Sequence, residues 1–415
     1  MSEKKTFTVH IEKTLFGGYG LTHYDGKALL VRSALAGDHV EVKIDKDAPR
    51  YRKASIVQHH TQRNEMCRFA TSCGGCPWDG VTPEQQRLWK QSFVEEALSR
   101  ASLKTPQIPL PHSGDLHGVR HRVELQMQWA NEQVTVGYYA PQSRQITPIQ
   151  TCLVTTPALQ SVIQGLYEFK AQKNKLGHYR LHIQELKTGV VILVKLPLHG
   201  RRSSPSKGFL QFLKKIPSVV WAGTLQEKSE ILPWEEDLQL KWSTSPGLFQ
   251  QVHRPLNHKM RRLVQSWVEQ QRPSHILDLC CGSGNLSLAL SHSDRKVTGV
   301  ESNSQAIAVA QHQVQENKLN HISYHTAAAE TWLSENTDKD FDLVIVDPPR
   351  SGLKDLIPHL RELAPQTLIM ISCDPPTLAR DIQLLGDEWQ IKSIELFDFF
   401  PNTWHVETAA LLTRG

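Results

Sequence analysis

The sequence has no long hydrophobic run and no low-complexity tract in its 415 residues. No stretch reaches the length of a membrane span, and the first ten residues, MSEKKTFTVH, contain no apolar signal region. Hydrophobic residues make up 39% of the chain and charged residues 21%, which is typical of a folded protein. These features argue against a membrane, exported or disordered protein, and we expect a globular protein of the cytoplasm.

The excess of positive over negative charge is also small, because the formal net charge is only +5 at pH 7. This excess permits nucleic-acid binding without requiring it. The cysteines number seven, and an odd count without an export signal argues against a disulfide framework. Three crowd one loop, one stands alone, two lie in a glycine turn and one follows an apolar run. This spacing predicts separate tasks for them.

The length of the chain predicts two or three domains. Residues 6–60 show short alternating strands separated by glycine turns, a pattern typical of a small β-barrel. The segment 17–44, GGYGLTHYDGKALLVRSALAGDHVEVKI, resembles a TRAM domain, which is an OB-like RNA-binding barrel attached to several RNA-modifying enzymes. We therefore expect residues 1–60 to form an RNA-binding barrel.

A central α+β domain is expected over residues 61–255. The segment 83–100 has apolar residues three and four apart and predicts an amphipathic helix, and three strands are expected between 119 and 196. From 256 to 415, buried strands alternate with helices, which predicts a Rossmann-like α/β domain with a parallel sheet. Ligands of such sheets bind beyond the carboxyl ends of the strands.

A glycine-rich turn follows the first of these strands, in ILDLCCGSGNLSLAL, and a helix is expected after it. Such a turn fits a dinucleotide, S-adenosylmethionine or a purely structural role. Glu301 ends the next strand and can accept both hydroxyls of a ribose. Together with Asp278 it suits a cofactor with cationic groups, so S-adenosylmethionine is favoured.

A second motif, DLVIVDPPRSG, ends a strand at Asp347. The two prolines that follow either just terminate the strand or fix the backbone so that Asp347 and Arg350 project into the crevice. Amino-methyltransferases usually carry an aromatic residue where Arg350 stands. The motif therefore indicates a target other than an exocyclic amine.

Cys373 lies one residue past a predicted strand, in LIMISCDPP. Carbon 5 of uracil is a poor nucleophile, but a thiolate added to carbon 6 produces an enolate that can attack a methyl group. Glu407, in FPNTWHVET, is the candidate base for removing the carbon 5 proton afterwards. Taken alone, Cys373 could equally be a buried cysteine at a strand end, and a glutamate near a strand start more often faces solvent or forms a salt bridge.

The motifs DLCCGSGN, VDPPRSGL, SCDPPTLARD and FPNTWHVET, in this order and spacing over about 240–415, resemble those of RNA uracil-C5 methyltransferases. The resemblance implies Cys373 as nucleophile and Glu407 as base. It also implies contacts to S-adenosylmethionine from five residues, namely Gln251, Cys280, Asn285, Glu301 and Asp347.

Three segments depart from the pattern of that family. Cys280 stands where the family commonly has an aromatic residue, and Ala328 where it has Asp or Asn facing the adenine. The sequence FQQVH over 249–253 replaces Phe-Phe-Gln-Val-Asn. These departures bear on cofactor affinity and not on the nucleophile.

Cys67, Cys73, Cys76 and Cys152 offer four thiolates, which suit either zinc or an iron–sulfur cluster. The Gly-Gly pair at 74–75 lets the loop fold tightly and exposes backbone amides. The arrangement resembles the [4Fe–4S] site of the ribosomal members of this family, so we expect a cluster with a structural or RNA-orienting role. Free reactive thiols are the remaining alternative.

RNA is the expected partner. The basic segments 50–55 and 199–208 are read as loops that contact phosphates, and four aromatic residues are candidates for stacking on bases, namely Trp78, Trp129, Tyr138 and Tyr139. The target base must leave its stack to reach Cys373. The barrel and the four cysteines favour 23S ribosomal RNA over transfer RNA, and no obligate protein partner is evident.

Two further alternatives remain. Cytosine-C5 methyltransferases also use a cysteine on carbon 6, but they present it in a Pro-Cys turn, unlike SCDPP here. A non-catalytic RNA-binding iron–sulfur protein is disfavoured because both Cys373 and Glu407 are retained.

Overall fold

The computed structural model describes residues 6–415 apart from residues 131 and 142 and the stretches 171–175, 199–203, 226–229, 291–294 and 337–339. Among the helices in this part of the chain, none has the length and apolar character needed to cross a membrane. Three sheets of six, six and seven strands and one two-stranded hairpin make up its β structure.

The first sheet has the order β1-β5-β6-β4-β3-β2 and is antiparallel except where β4 pairs with β6. Its strands are β1 (Phe7–His10), β2 (Lys13–Leu15), β3 (Tyr19–Tyr24), β4 (Lys27–Arg32), β5 (His39–Asp47) and β6 (Tyr51–His59). Alternate residues such as Leu29, Val31 and Val40 pack into one small core. The β-rich N-terminal region was predicted. The prediction of a loop at 50–55 is wrong, because Tyr51 begins β6.

The second sheet has the order β12-β11-β10-β7-β8-β9. Its strands are β7 (Arg122–Ala130), β8 (Gln133–Tyr139), β9 (Ile146–Pro148), β10 (Gly177–Leu186), β11 (Gly189–Lys195) and β12 (Val219–Thr224). Helices α2 (Pro157–Leu166) and α3 (Lys207–Lys215) contribute Leu159, Ile163 and Phe209 to its core. The strands β9, β10 and β12 and both helices were not predicted. Of the expected basic loop, residues 199–203 lie outside the described residues.

Helix α1 (Pro83–Arg100) begins and ends where the sequence predicted. Its buried face is only partly apolar, because Gln86 and Lys90 are completely buried beside Phe93, Val94 and Leu98. Val94 and Leu98 join the core of the third sheet. The simple amphipathic description is therefore wrong for the first half of this helix.

The third sheet has the order β17-β16-β15-β18-β19-β21-β20. Its strands are β15 (His275–Leu279), β16 (Lys296–Glu301), β17 (Ile322–Thr326), β18 (Leu343–Val346), β19 (Thr367–Ser372), β20 (Trp389–Phe397) and β21 (Glu407–Arg414). The hairpin β13 (Leu232–Asp237) and β14 (Leu240–Thr244) precedes it in the chain. The helices of this region are α4 (Arg254–Gln271), α5 (Ser304–Glu316), α6 (Ala329–Glu335), α7 (Ile357–Leu363) and α8 (Pro375–Leu385). The predicted α/β fold with a parallel sheet is confirmed from β15 to β19.

Strand β21 runs antiparallel between β19 and β20, with Ser372 opposite Thr408. Because its direction is reversed, the beginning of β21 lies at the edge where β19 ends. The last strand therefore delivers Glu407 to the same edge as Cys373.

The helix expected after the glycine turn is a four-residue 3₁₀ helix, Ser287–Leu290. All four residues are buried in the sheet core. The prediction of a regular helix there is wrong within the described residues, because the chain leaves the turn in this tighter conformation.

Candidate active site

One pocket lies at the carboxyl edge of the third sheet. All seven residues predicted for catalysis and cofactor binding line it: Gln251, Cys280, Asn285, Glu301, Asp347, Cys373 and Glu407. Arg350 and His405 line it as well. Asp278, also singled out in the sequence, is not among the lining residues and is only 1% exposed.

Cys373 follows β19 directly and precedes α8, whose N-terminus is capped by Asp374 through a 3.0 Å bond from the Thr377 amide. Burial raises the pKa of the Cys373 thiol, and the carboxylate of Glu407 raises it further. The Arg350 guanidinium opposes both by hydrogen bonding to the sulfur and by its charge. Arg350 is therefore the group that favours the thiolate.

Glu407 is the first residue of β21 and is 7% exposed. Burial and the nearby Asp347 raise its pKa well above the usual range, while Arg350 lowers it. A carboxylate with a raised pKa holds a proton strongly once it has accepted one. This is the property that a base acting on a carbon-bound proton needs.

Arg350 is held in this position by its neighbours. One of its terminal nitrogens (Nη2) lies 3.4 Å from Nδ1 of His405. Burial and the adjacent Arg350 lower the pKa of His405 to about 4, so the ring is neutral near pH 7 and can accept a hydrogen bond from the guanidinium. Arg350 therefore faces both Cys373 and Glu407, and the neutral His405 ring beside it adds no positive charge.

The other half of the pocket is formed by the glycine turn and Glu301. The Glu301 carboxylate accepts hydrogen bonds from the Gly282 amide at 3.3 Å and from the Asn303 amide at 2.8 Å. Gly284 has φ +84°, and a Cβ there would collide with the Tyr324 hydroxyl, so only glycine fits. The acid is thus fixed beside a turn that leaves the backbone accessible.

Three of the predicted cofactor contacts have distinct environments. The Asn285 side chain is bonded to Asn257 and Arg261 of α4, which leaves it little freedom to reorient. Cys280 adopts φ +60°, a left-handed conformation uncommon for a non-glycine residue and found at functional sites. Burial raises its pKa to about 12, so its thiol is neutral. Gln251 is 8% exposed in the pocket wall.

The four predicted ligand cysteines, Cys67, Cys73, Cys76 and Cys152, line a second, adjoining cavity. Burial raises the pKa of Cys76 to about 12, and the charge of Arg120 opposes this. Within the ranges that the structure describes, no group of three or more ligating side chains has the geometry to hold a single metal ion. The spacing of the cysteines predicted that the four thiols lie together, but it did not predict that Arg120 lines both cavities.

The aromatic residues proposed for RNA stacking are placed differently. Trp78 is completely buried and Trp129 in the core is only 9% exposed, so the prediction that these two residues stack on RNA bases is wrong. Tyr138 lines the four-cysteine cavity. The sequence missed Trp404 and Phe400 as pocket residues, although both belong to the motif FPNTWHVET.

The strand order, the glycine turn and the carboxylates at one sheet edge define the class: this is an S-adenosylmethionine-dependent methyltransferase. The model of the family described as tRNA (Uracil-5-)-methyltransferase matches residues 229–415. The chain belongs to the RNA uracil-C5 methyltransferases, as its motifs predicted, because two 23S rRNA (uracil-C5)-methyltransferases are 30% and 31% identical to it over nearly its whole length.

Relatives match over nearly the whole chain. The 23S rRNA (uracil(1939)-C(5))-methyltransferase RlmD of Pseudomonas fluorescens is 31% identical, with 97% of this chain and 92% of the relative covered. That of Photorhabdus laumondii is 29% identical, with 96% and 94% covered. The structure of Pyrococcus abyssi tRNA (uracil-54, C5)-methyltransferase with S-adenosyl-L-homocysteine is 23% identical, covers 98% of this chain and 100% of that one, and gives a TM-score of 0.72. It therefore shares the fold.

Proposed function

We propose that this protein methylates carbon 5 of a uridine in 23S ribosomal RNA through a covalent bond between Cys373 and carbon 6 of the base. The observation that carries the proposal is the arrangement of Cys373, Arg350 and Glu407 in one pocket beside the cofactor half. Burial raises the pKa of both Cys373 and Glu407, and the Arg350 guanidinium opposes this rise at each of them. A thiolate and a carboxylate are the two groups that this chemistry requires.

The pocket suits S-adenosylmethionine because its donor set is acidic and the cofactor is cationic. Burial raises the pKa of Asp347 to about 7, and a cation nearby would favour its charged form. We propose Glu301 for the ribose hydroxyls and Asp347, Gln251, Cys280 and Asn285 for the remaining contacts. When bound, the cofactor supplies the methyl group.

The residues of the chain perform the other steps on the uracil ring. The Cys373 thiolate adds to carbon 6, and the electron pair of the carbon 5–carbon 6 double bond moves into the enolate. Carbon 5 then takes the methyl group, and the electron pair of the methyl–sulfur bond that breaks would stay on the sulfur of the leaving S-adenosylhomocysteine. Glu407 takes the proton that remains on carbon 5, the double bond re-forms, and the carbon 6–sulfur bond breaks to return the thiolate.

Ribosomal RNA is proposed as the substrate because the relatives matched over the whole chain act on 23S rRNA. The wall formed by Gly74, Gly75 and Pro77 of the cysteine loop, facing the same pocket, fits an enzyme in which that loop helps to place the base. Transfer RNA is the second candidate substrate. Activity on assembling ribosomes would place the protein in the cytoplasm.

The test is transfer of labelled methyl groups to unmodified 23S rRNA and to transfer RNA, followed by mass spectrometry of the nucleosides. We expect 5-methyluridine in 23S rRNA. Label in 5-methylcytidine, or in transfer RNA alone, would contradict the proposal.

We further propose that Cys67, Cys73, Cys76 and Cys152 hold a [4Fe–4S] cluster. The support is the chemistry of the set, because four thiols line one largely apolar cavity. Burial raises the pKa of Cys73, Cys76 and Cys152, and the charge of Arg120 opposes this rise at each of the three. Its role would be to hold the loop that forms one wall of the active site.

Protein purified without oxygen is expected to be brown, with broad visible absorption and about four irons per chain. Cys76→Ser should lose the colour, whereas Cys280→Ala, which alters a cysteine of the other pocket, should keep it. Absorption and iron analysis give the answer. A colourless wild-type protein containing zinc would contradict the cluster.

The N-terminal sheet is proposed to be a TRAM-like RNA-binding domain, with domain boundaries near residues 60 and 255. Removal of residues 1–60 should weaken RNA binding and flatten its salt dependence, because each lost phosphate contact reduces the slope of log K against log salt by about 0.7. Filter binding at several salt concentrations measures this. Calorimetry with S-adenosylmethionine is the control that the remainder is folded, and an unchanged slope would disprove an RNA-binding role.

A further inference from the structure

Residues 398–406 form the loop of the hairpin between β20 and β21, in which Phe397 pairs with Glu407. Four of its residues line the active-site pocket: Phe400, Thr403, Trp404 and His405. The path of this hairpin loop therefore affects both the pocket wall and the base that follows it.

Helix α1 holds the beginning of the hairpin loop through a buried ion pair. Lys90 Nζ donates to Asp398 Oδ1 at 2.5 Å and to the carbonyl oxygen of Phe400 at 3.1 Å. The two side chains are 0% and 3% exposed. Both ends of this bond are thus shielded from water.

One turn earlier in α1, Gln86 forms a reciprocal amide pair with Asn402. Gln86 Nε2 donates to Asn402 Oδ1 at 2.9 Å, and the Asn402 backbone amide donates to Gln86 Oε1 at 2.8 Å. The Trp78 amide donates to the Asn402 carbonyl at 3.0 Å. Asn402 has φ +62°, so the chain turns sharply at the residue that carries these bonds.

A gain in stability does not account well for the buried polar residues Lys90 and Gln86 on this face of α1. Removing two charges from water is costly, and apolar side chains of similar volume often stabilise a core equally well or better. A buried ion pair does, however, accept only a narrow geometry. Here that geometry is imposed on the hairpin loop that precedes Glu407.

We propose that Lys90 and Gln86 are positioning residues for the proton-removal step. By fixing Asp398 and Asn402, they hold the hairpin loop and so orient the Glu407 carboxylate toward the base bound to Cys373. This inference rests on the proposed covalent mechanism. Trp78 joins the same loop to the four-cysteine segment, so three parts of the chain meet at Asn402.

The main test is the double variant Lys90→Met, Asp398→Asn. It removes both charges, so no unpaired charge remains buried, and it nearly conserves volume. Glu407 should lose its alignment while Cys373 is untouched. A misplacement of a reacting group by about 1 Å can lower the rate of its step by up to about 100-fold. We expect a methylated protein–RNA adduct that resolves about 10- to 100-fold more slowly, with KM for RNA unchanged.

A second variant, Asn402→Gly, keeps the left-handed backbone and the backbone bond to Gln86 Oε1, but it loses the side-chain oxygen that accepts from Gln86 Nε2. It should also accumulate the adduct, and it decides the question if the double variant does not fold. The matched control is Asp342→Ala. The Asp342 carboxylate accepts hydrogen bonds from the backbone amides of Ser274 and His275, at 2.7 and 2.9 Å. These bonds lie at the opposite edge of the third sheet. This variant should lose stability and resolve its adduct normally.

Denaturing electrophoresis with methyl-labelled cofactor follows the adduct in each variant. Normal turnover without adduct in the folded double variant and in Asn402→Gly would overturn the positioning role, provided that Glu407→Gln traps an adduct in the same assay. Absence of an adduct in Glu407→Gln would instead refute the covalent mechanism itself. The two failures are therefore distinguishable.

Discussion

Replacement of Cys373 by alanine is expected to abolish methylation and any covalent RNA adduct, while Glu407→Gln is expected to accumulate a methylated adduct. Without the thiolate, the enolate that attacks the methyl group never forms. Without the carboxylate, carbon 5 still takes the methyl group, but its proton stays and the sulfur cannot leave. Turnover by Glu407→Gln should fall by about 100-fold or more, as is typical of a lost catalytic base.

The adduct should survive denaturing electrophoresis and carry label from the cofactor. It should be absent from the double variant Cys373→Ala, Glu407→Gln, which is the control for non-specific crosslinking. Normal turnover by Glu407→Gln, or an adduct formed without Cys373, would rule out these roles.

Arg350→Met is expected to slow adduct formation and to move the acid limb of its pH profile to higher pH. The guanidinium lowers the pKa of Cys373 against the raising effects of burial and Glu407. Its loss raises that pKa, so less thiolate is present at a given pH. Because the smaller thiolate fraction limits the reaction below the thiol pKa, we expect slower adduct formation near neutral pH and a loss that shrinks as the pH is raised.

Single-turnover measurements at saturating RNA between pH 6 and 10 would isolate this effect from RNA binding. Arg350→Lys is the matched control, because it keeps the charge and should retain part of the activity at a lower pH than Arg350→Met. Superimposable pH profiles for Arg350→Met and the wild type would show that Arg350 does not act on the thiol.

Much of the active site was predictable from the sequence because its residues belong to strand ends. The motifs around Asp347 and Cys373 follow short apolar runs, and the ends of parallel strands meet at one edge of a sheet. Their proximity in one pocket follows from this rule. The helix after the glycine turn was predicted wrongly because local pattern does not distinguish a buried helix from a four-residue 3₁₀ turn.

Contacts between distant segments could not be predicted from local patterns. Lys90 reads as a surface lysine on an amphipathic helix, and only its pairing with Asp398, which lies 308 residues further along the chain, shows that it is buried. Trp78 and Trp129 were likewise candidates for RNA stacking until packing placed them in cores. Local sequence carries no information on which partner a polar or aromatic side chain meets across the fold.

The sequence by itself determined the family, the α/β sheet and the candidate nucleophile and base, because these depend on short motifs and on alternating apolar patterns. Only the tertiary structure decided that the reversed strand β21 brings Glu407 beside Cys373, and that Arg350 faces both. It also decided that the segment after the cysteine loop and helix α1 meet the hairpin loop at Asn402. The physical reason is that pKa values and side-chain orientations depend on burial and on charges from distant segments, which come together only when the chain folds.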